Sequence, residues 1–153
     1  MPNTYAQLYV QIIFAVKGRQ NFITENIREE LQKYITGIIE AKQQKLYAVY
    51  CMPDHTHVFL SYQPNISVSD LARDIKANSS GWLKNRFSFM KEFAWQEGFG
   101  AFSYSKSQAL TVVDYVMNQK EHHRKKTFYE EYIGFLKAFE IEHDVKYLFE
   151  FYQ

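Results

Sequence analysis

Two periods of apolar residues alternate along this chain, and the points where one gives way to the other divide it into elements. Residues 5–17 form an apolar and β-branched run that predicts a buried strand, followed by the turn-like Gly18-Arg19-Gln20-Asn21. Across about 25–42 the period changes to three and four, with Ile27, Leu31, Tyr34, Ile35, Ile38 and Ile39 on one side and charged residues opposite, as in a helix that covers a sheet. Residues 45–52 and 55–62 return to strand character and are joined through Pro53-Asp54, two turn formers, which predicts a hairpin. Ser67 with Asp70 three residues later resembles a capping box and opens a helix to about Phe87, with Val68, Leu71, Ile75 and Trp82 on its apolar side. Gly98 to Ser105 reads as an aromatic strand, Ser107 to Lys125 as a helix, and Phe128 to Phe139 as another. The aromatic tail to Gln153 should pack against the body.

The order strand, helix, strand, strand, helix, strand is that of a ferredoxin-like α+β sandwich, an antiparallel sheet with its first two helices on one face. On the strand at 55–62, alternation separates Thr56, Val58 and Leu60 from His55, His57 and Phe59. The more apolar set should meet the helices, so the histidines are expected on the opposite, open face, where the helix at 107–125 must approach.

Composition narrows the class without changing this picture. A chain of 153 residues with 46% hydrophobic content suits a single domain, here taken as 1–153, with one core. The longest unbroken apolar run, Ile12 to Val16, falls far short of the roughly 20 residues of a membrane span, and no secretion-signal layout precedes it, so a soluble, cytoplasmic protein is expected. Cys51 is the only cysteine, which excludes an internal disulfide and a multi-thiolate zinc site. The net charge of +1 says little about nucleic acid, but the distribution is uneven: Arg73, Lys76 and Lys84 share a helical face, and Lys120, Arg124, Lys125 and Lys126 cluster late in the chain. Solvated faces and complements to helix dipoles are the commoner meaning of such clusters.

Candidate chemistry resides in four residues. The backbones of His55 and His57 lie about 7 Å apart on one strand face, so two ring nitrogens can converge on one cation. A lone His-x-His is more often incidental than coordinating, and any one of the 12 tyrosines is more often packing surface than nucleophile. Tyr115 and Gln119, however, fall four apart on a predicted helix, with Cβ atoms about 5–6 Å from each other, so a phenol stands beside a potential oxygen ligand. His122 and His123, near a predicted helix C-terminus, are read as dipole complements without a catalytic role, and His143 as incidental.

The segments Cys51-Met52-Pro53-Asp54-His55-Thr56-His57 and Asp114-Tyr115-Val116-Met117-Asn118-Gln119 resemble the single-tyrosine HUH transposases of small bacterial insertion sequences. The resemblance extends to Leu8 through Lys17, to Asp74 through Leu83 and to Trp95 through Gly100. One position departs from the family pattern, which has a hydrophobic residue between the two histidines where this chain has Thr56. The resemblance implies Tyr115 as the nucleophile, His55, His57 and Gln119 as ligands of Mg²⁺ or Mn²⁺, and cleavage of single-stranded DNA through a 5′-phosphotyrosine bond near hairpins at element ends. It also implies a homodimer in which the tyrosine helix of one subunit completes the histidine site of the other. Arg73, Lys76 and Lys84, with Ser79 and Ser80 as neutral donors, are the expected DNA-phosphate contacts. A non-catalytic ferredoxin-like binder that stacks single-stranded bases on aromatics is the rival reading, and a domesticated relative acting on chromosomal repeats a third. An RNA phosphoesterase with paired His-x-Thr motifs is remote, because no second such motif occurs.

Overall fold

The computed structural model describes residues 4–17, 22–144 and 147–149. Its elements are β1 (Leu8–Ala15), α1 (Glu25–Ala41), β2 (Lys45–Cys51), β3 (His55–Tyr62), α2 (Val68–Arg86), β4 (Gly100–Tyr104), α3 (Ala109–Met117), α4 (Gln119–His122) and α5 (Phe128–Ala138). The strands form an antiparallel sheet in the order β2-β3-β1-β4, the ferredoxin-like arrangement expected from the element order. The Gly18–Asn21 turn lies outside the described residues. No helix among the described residues is long and apolar enough to cross a membrane.

One face of the sheet is buried beneath α1 and α2. Ile12 and Phe14 of β1 and Val58 and Leu60 of β3 pack there against Ile27, Leu31, Ile35 and Ile39 of α1 and Leu71, Ala72 and Ile75 of α2. This is the face assigned to Val58 and Leu60 from alternation alone. The Ser67 side chain caps α2 by accepting from the Asp70 backbone N–H at 3.0 Å.

The opposite face is covered too, by α3, which was expected to approach it, and by α5, which the sequence pattern left unplaced. Val112 and Val116 of α3 pack with Tyr9, Ala48 and Phe59 over the β2 side. Phe128, Tyr132 and Leu136 of α5, joined by Phe149 from the tail, pack on Ile13, Ala15 and Phe102. The approach of α5 is close: a Cβ on Gly100 would come 2.6 Å from the Tyr132 hydroxyl, so β4 needs glycine at that point. The predicted helix across 107–125 is broken. Asn118 leaves helical geometry at φ −105° and ψ 26° and caps α3 through its side-chain donation to the Asp114 carbonyl at 2.7 Å, and α4 starts afresh at Gln119. Asparagine competes for backbone partners in this way, which is why it terminates helices more readily than it continues them.

Candidate metal centre and tyrosine site

Pairing places the histidines. His57 stands opposite Ile13 and His55 opposite Ala15 in the β1–β3 ladder, so both rings rise from the middle of the sheet into the space beneath α3, α4 and α5. Both are buried. Each ring is held by its Nδ1: that of His55 donates to Asp54 Oδ1 at 2.7 Å, and that of His57 to Gln11 Oε1 at 2.6 Å. Gln11 is itself fixed, donating through Nε2 to the Tyr104 hydroxyl at 2.9 Å. Phe128 stacks on the His55 ring with centroids 3.9 Å apart and planes 7° from parallel. Partners of this kind orient metal-ligating imidazoles and select their tautomer.

With the proton on Nδ1, Nε2 of each neutral ring carries a lone pair directed into the site. His57 Nε2 lies 3.2 Å from Glu131 Oε1, and His55 Nε2 lies 3.4 Å from Gln119 Oε1 and 3.7 Å from Glu131 Oε1. Lone pairs thus face lone pairs, an arrangement that a cation between them resolves. Ligand atoms of His55, His57 and Glu131 all lie within 4.8 Å of one another. Two imidazoles, a carboxylate and a carboxamide oxygen suit a divalent ion of intermediate hardness. Burial is the main influence on His57 and lowers its pKa despite the Glu131 charge, which keeps the imidazole in its ligating form. Burial opposes ionisation of Glu131, yet its contacts with His57, His123 and His55 more than offset this and hold the carboxyl below the usual range.

Tyr115 is half-buried at the end of α3, its ring 6.0 Å from that of His57 within the same chain. Its hydroxyl donates to Glu131 Oε2, and the His122 ring stacks on it at 4.4 Å. Burial first, and the Glu131 charge second, push the phenol above the usual tyrosine range. Glu131 therefore bridges the two halves of the site, one oxygen toward the histidines and the other toward the phenol.

The structure brings His55, His57, Tyr115 and Gln119 together, with Gln119 fully buried just beyond the helix break. Arg73, Lys76 and Lys84 lie on α2, in the layer behind the sheet. There Arg73 pairs with Asp70 at 3.1 Å and Asp74 at 3.5 Å, and Lys76 donates to the Gln96 and Gly98 carbonyls at 2.7 and 2.9 Å. Lys84 is exposed and makes no ion pair among the described residues. Sequence reasoning did not single out Glu131, Gln11 or Asp54, and it gave His123 only a dipole role, whereas His123 Nε2 lies 3.1 Å from Gln119 Oε1 and 3.2 Å from Glu131 Oε1. A signal for two of them was present: Gln11 interrupts an apolar strand, and Glu131 falls on the apolar stripe of its helix with Phe128, Tyr132 and Phe135.

Comparison with known proteins points the same way. Residues 4–119 match the family described as transposase IS200 like. The transposase for insertion sequence element IS200 of Salmonella typhimurium is 28% identical over 116 residues, covering 72% of this chain and 75% of that protein. The ISDra2 transposase TnpA of Deinococcus radiodurans is 25% identical over 120 residues, covering 75% and 86%. Among solved structures, a candidate transposase from Deinococcus radiodurans shares the fold with a TM-score of 0.64 at 20% identity, over 76% of this chain and 94% of that one. A REP-associated tyrosine transposase bound to a REP hairpin does so with a TM-score of 0.58 at 17% identity, over 79% and 72%.

Proposed function

Because the chain belongs to the family of IS200-like transposases, we propose that it cuts and rejoins single-stranded DNA through Tyr115, with hairpins at the ends of its element as the recognised feature. The observation that carries this reading is the shared carboxylate: Glu131 faces the paired imidazoles with one oxygen and accepts the Tyr115 hydroxyl with the other. His55, His57 and Glu131 would hold a divalent ion, Mg²⁺ or Mn²⁺, with Gln119 Oε1 beside them. Such an ion supplies Lewis-acid polarisation of the scissile phosphate, orientation of the 3′ leaving oxygen, and positive charge that favours the phenolate.

The chain's own residues do the rest. Asp54 and Gln11 keep both imidazoles turned, and Phe128 clamps one of them. Glu131 receives the phenolic proton as Tyr115 Oη attacks phosphorus, and the P–O3′ bond breaks, the departing oxygen taking a proton from solvent, to leave a 3′-OH on one strand and a 5′-phosphotyrosine on the other. The covalent bond preserves the energy of the cut linkage, so attack by another 3′-OH can reseal DNA without ATP. An unperturbed phenol costs about 4 kcal/mol to ionise at pH 7, and burial of Tyr115 adds to that cost, so Tyr115 rests as the neutral phenol hydrogen-bonded to Glu131.

The named structural relative is bound to a DNA hairpin, which supports hairpin DNA as the partner here. Lys84 and the rest of the basic α2 face are the proposed phosphate contacts for the hairpin arm. Tyr115 and the histidines stand together in one chain, which supports a cis site; the homodimer implied by the family resemblance would instead exchange α3 across a two-fold axis. Mixing Tyr115→Phe with His57→Ala protein separates the two, since only exchange restores activity.

The deciding experiment incubates the protein and labelled single-stranded element ends with and without Mn²⁺. A denaturation-resistant protein–DNA adduct is expected, absent in Tyr115→Phe although hairpin binding persists. Survival of the adduct in that variant would defeat the assignment. Binding without any adduct in the native protein, and indifferent to chelators, would favour a non-catalytic single-strand binder.

A further inference from the structure

Two adjoining grooves meet at the Tyr115 hydroxyl, and they differ in chemistry. One, of about 410 Å³, is lined by Glu121, His122, His123, Lys125 and Lys126. The other, of about 580 Å³, runs between α5 and the end of β4 and is lined by Tyr104, Gln108, Gly134, Phe135 and Phe139. Tyr115, Lys126 and Glu131 border both. Neither Lys125 nor Lys126 makes an ion pair among the described residues, whereas Glu121 in the same groove is paired with Arg124 at 3.5 Å, so the two lysines are left to meet a phosphate beside Tyr115.

The second groove is a shallow, open slot with aromatic sides on which a flat ring can stack. Tyr104 and Phe139 meet nearly at right angles, 84°, with centroids 5.5 Å apart, and Phe135 stands edge-on to Tyr115 at 5.8 Å. All three are half-buried. At the rim the Gln108 Oε1 accepts from the Ser105 backbone N–H at 2.9 Å, which ties its carbonyl oxygen to its own turn and leaves its amide N–H groups as donors.

Gly134 marks where this groove can be filled. It occupies the interior of α5, where glycine is less favourable than alanine. Its φ is not positive, and a Cβ there would meet nothing within 4 Å. The same holds for Gly37 in α1 and Gly81 in α2, so what distinguishes Gly134 is its place on the border of the aromatic groove. What a side chain at this position would occupy is the aromatic groove.

We propose that this groove takes an unpaired nucleobase adjacent to the phosphate attacked by Tyr115, while the Lys125–Lys126 groove takes the backbone on the other side. The inference rests on the reading of Tyr115 as a nucleophile toward single-stranded DNA and extends it to the base beside the cut, which must be unstacked from its neighbour to reach the slot. Stacking accepts any base, and the charge on Lys126, at the junction of the grooves, keeps the phosphate next to the phenol.

The test uses a short thymidine oligonucleotide carrying one 2-aminopurine, whose fluorescence is quenched on stacking. The native protein should quench it, and Gly134→Leu, which fills the slot while raising helix propensity, should bind roughly tenfold more weakly and lose the quenching. Circular dichroism should show that variant to be fully folded. Equal quenching by both proteins, or none by the native one, overturns the proposal. In the adduct assay, an abasic site at one flank of the scissile phosphate should slow the native protein roughly tenfold and leave Gly134→Leu unaffected; equal sensitivity in the two also overturns it. Quenching lost in Gly134→Leu, but with no adduct from the native protein on any substrate, would uphold the slot while refuting the tyrosine reading.

Discussion

Replacing Gln11 with leucine tests whether the histidine site is organised from behind. Gln11 is fully buried on β1, receives the His57 Nδ1–H at 2.6 Å and donates to the Tyr104 hydroxyl at 2.9 Å. Leucine fills nearly the same volume and removes both bonds. Each buried neutral hydrogen bond contributes about 1 kcal/mol net, and a donor left unpaired costs about 1–3 kcal/mol, partly offset by the added apolar surface. The expected loss is thus about 2–3 kcal/mol, or a fall in Tm of roughly 4–12 °C for a chain of this size. The larger consequence concerns the tautomer. Without an acceptor at Nδ1, the His57 proton can move to Nε2 and hydrogen-bond Glu131, and a protonated Nε2 cannot ligate. Affinity for Mn²⁺ should fall about 10–100-fold, the usual cost of losing a partner that orients a ligand. Thermal shift reads both effects. At Mn²⁺ a hundredfold above the native Kd, the native protein gains about 2.7 kcal/mol, and a tenfold weaker variant gains about 1.4 kcal/mol, less if the loss is larger. A variant that is destabilised as expected but retains the full Mn²⁺ response would refute the claim that Gln11 sets the tautomer.

Thr56 and His57 allow two further checks. The Thr56 hydroxyl is buried and meets only the Cys51 thiol, a weak partner, so Thr56→Val should raise stability by about 1 kcal/mol, seen as a higher urea midpoint. Because Thr56 points to the helix-covered face, adduct yield should not change; a lower yield would show that the histidine face responds to it. Burial holds His57 below its unfolded value of about 6.5, so its contribution to stability is present above that value and lost as pH falls toward the lower folded one. In metal-free protein the urea midpoint should drop on acidification from about pH 7 to 5, and an NMR titration of His57 with a midpoint at or above 6.5 would contradict the assignment.

The hairpin and its two-sided strand were legible because strand period and burial agree: the residues that alternation assigns to the helix face, Val58 and Leu60, are the ones packed beneath α1 and α2. The pair Tyr115 and Gln119 was legible as a spacing, though for a reason that does not hold in detail. A continuous helix was expected to align them, yet Asn118 ends α3, and Gln119 reaches the histidines from the first position of a new turn. The short loop through Asn118 turns its carboxamide inward to full burial, which an exposed helix face at that point would not have done.

What remained hidden lies on the sheet face taken to be open. Whether an aromatic helix docks on that face depends on the summed burial of Phe128, Tyr132, Leu136 and Phe149, and no local period encodes where such a helix will land. Once it lands, however, Glu131 has one reasonable fate. A carboxylate on the apolar stripe of a docked helix is carried into the interior, where it is tolerated only beside positive charge or strong donors. The Tyr115 hydroxyl donates to it there, His123 Nε2 lies 3.2 Å away, and the imidazole lone pairs face it across a space that suits a cation. The family match ends at residue 119, while Glu131, Lys126 and Gly134 lie beyond it. If α5 is part of the catalytic apparatus, its carboxylate should affect metal affinity and adduct formation together, whereas a helix that merely shields the sheet would affect stability alone. Glu131→Gln distinguishes these alternatives, since it preserves shape and burial while removing the charge: loss of Mn²⁺ response and adduct at nearly native Tm is expected, and native activity in that variant would confine the site to the segment before α5.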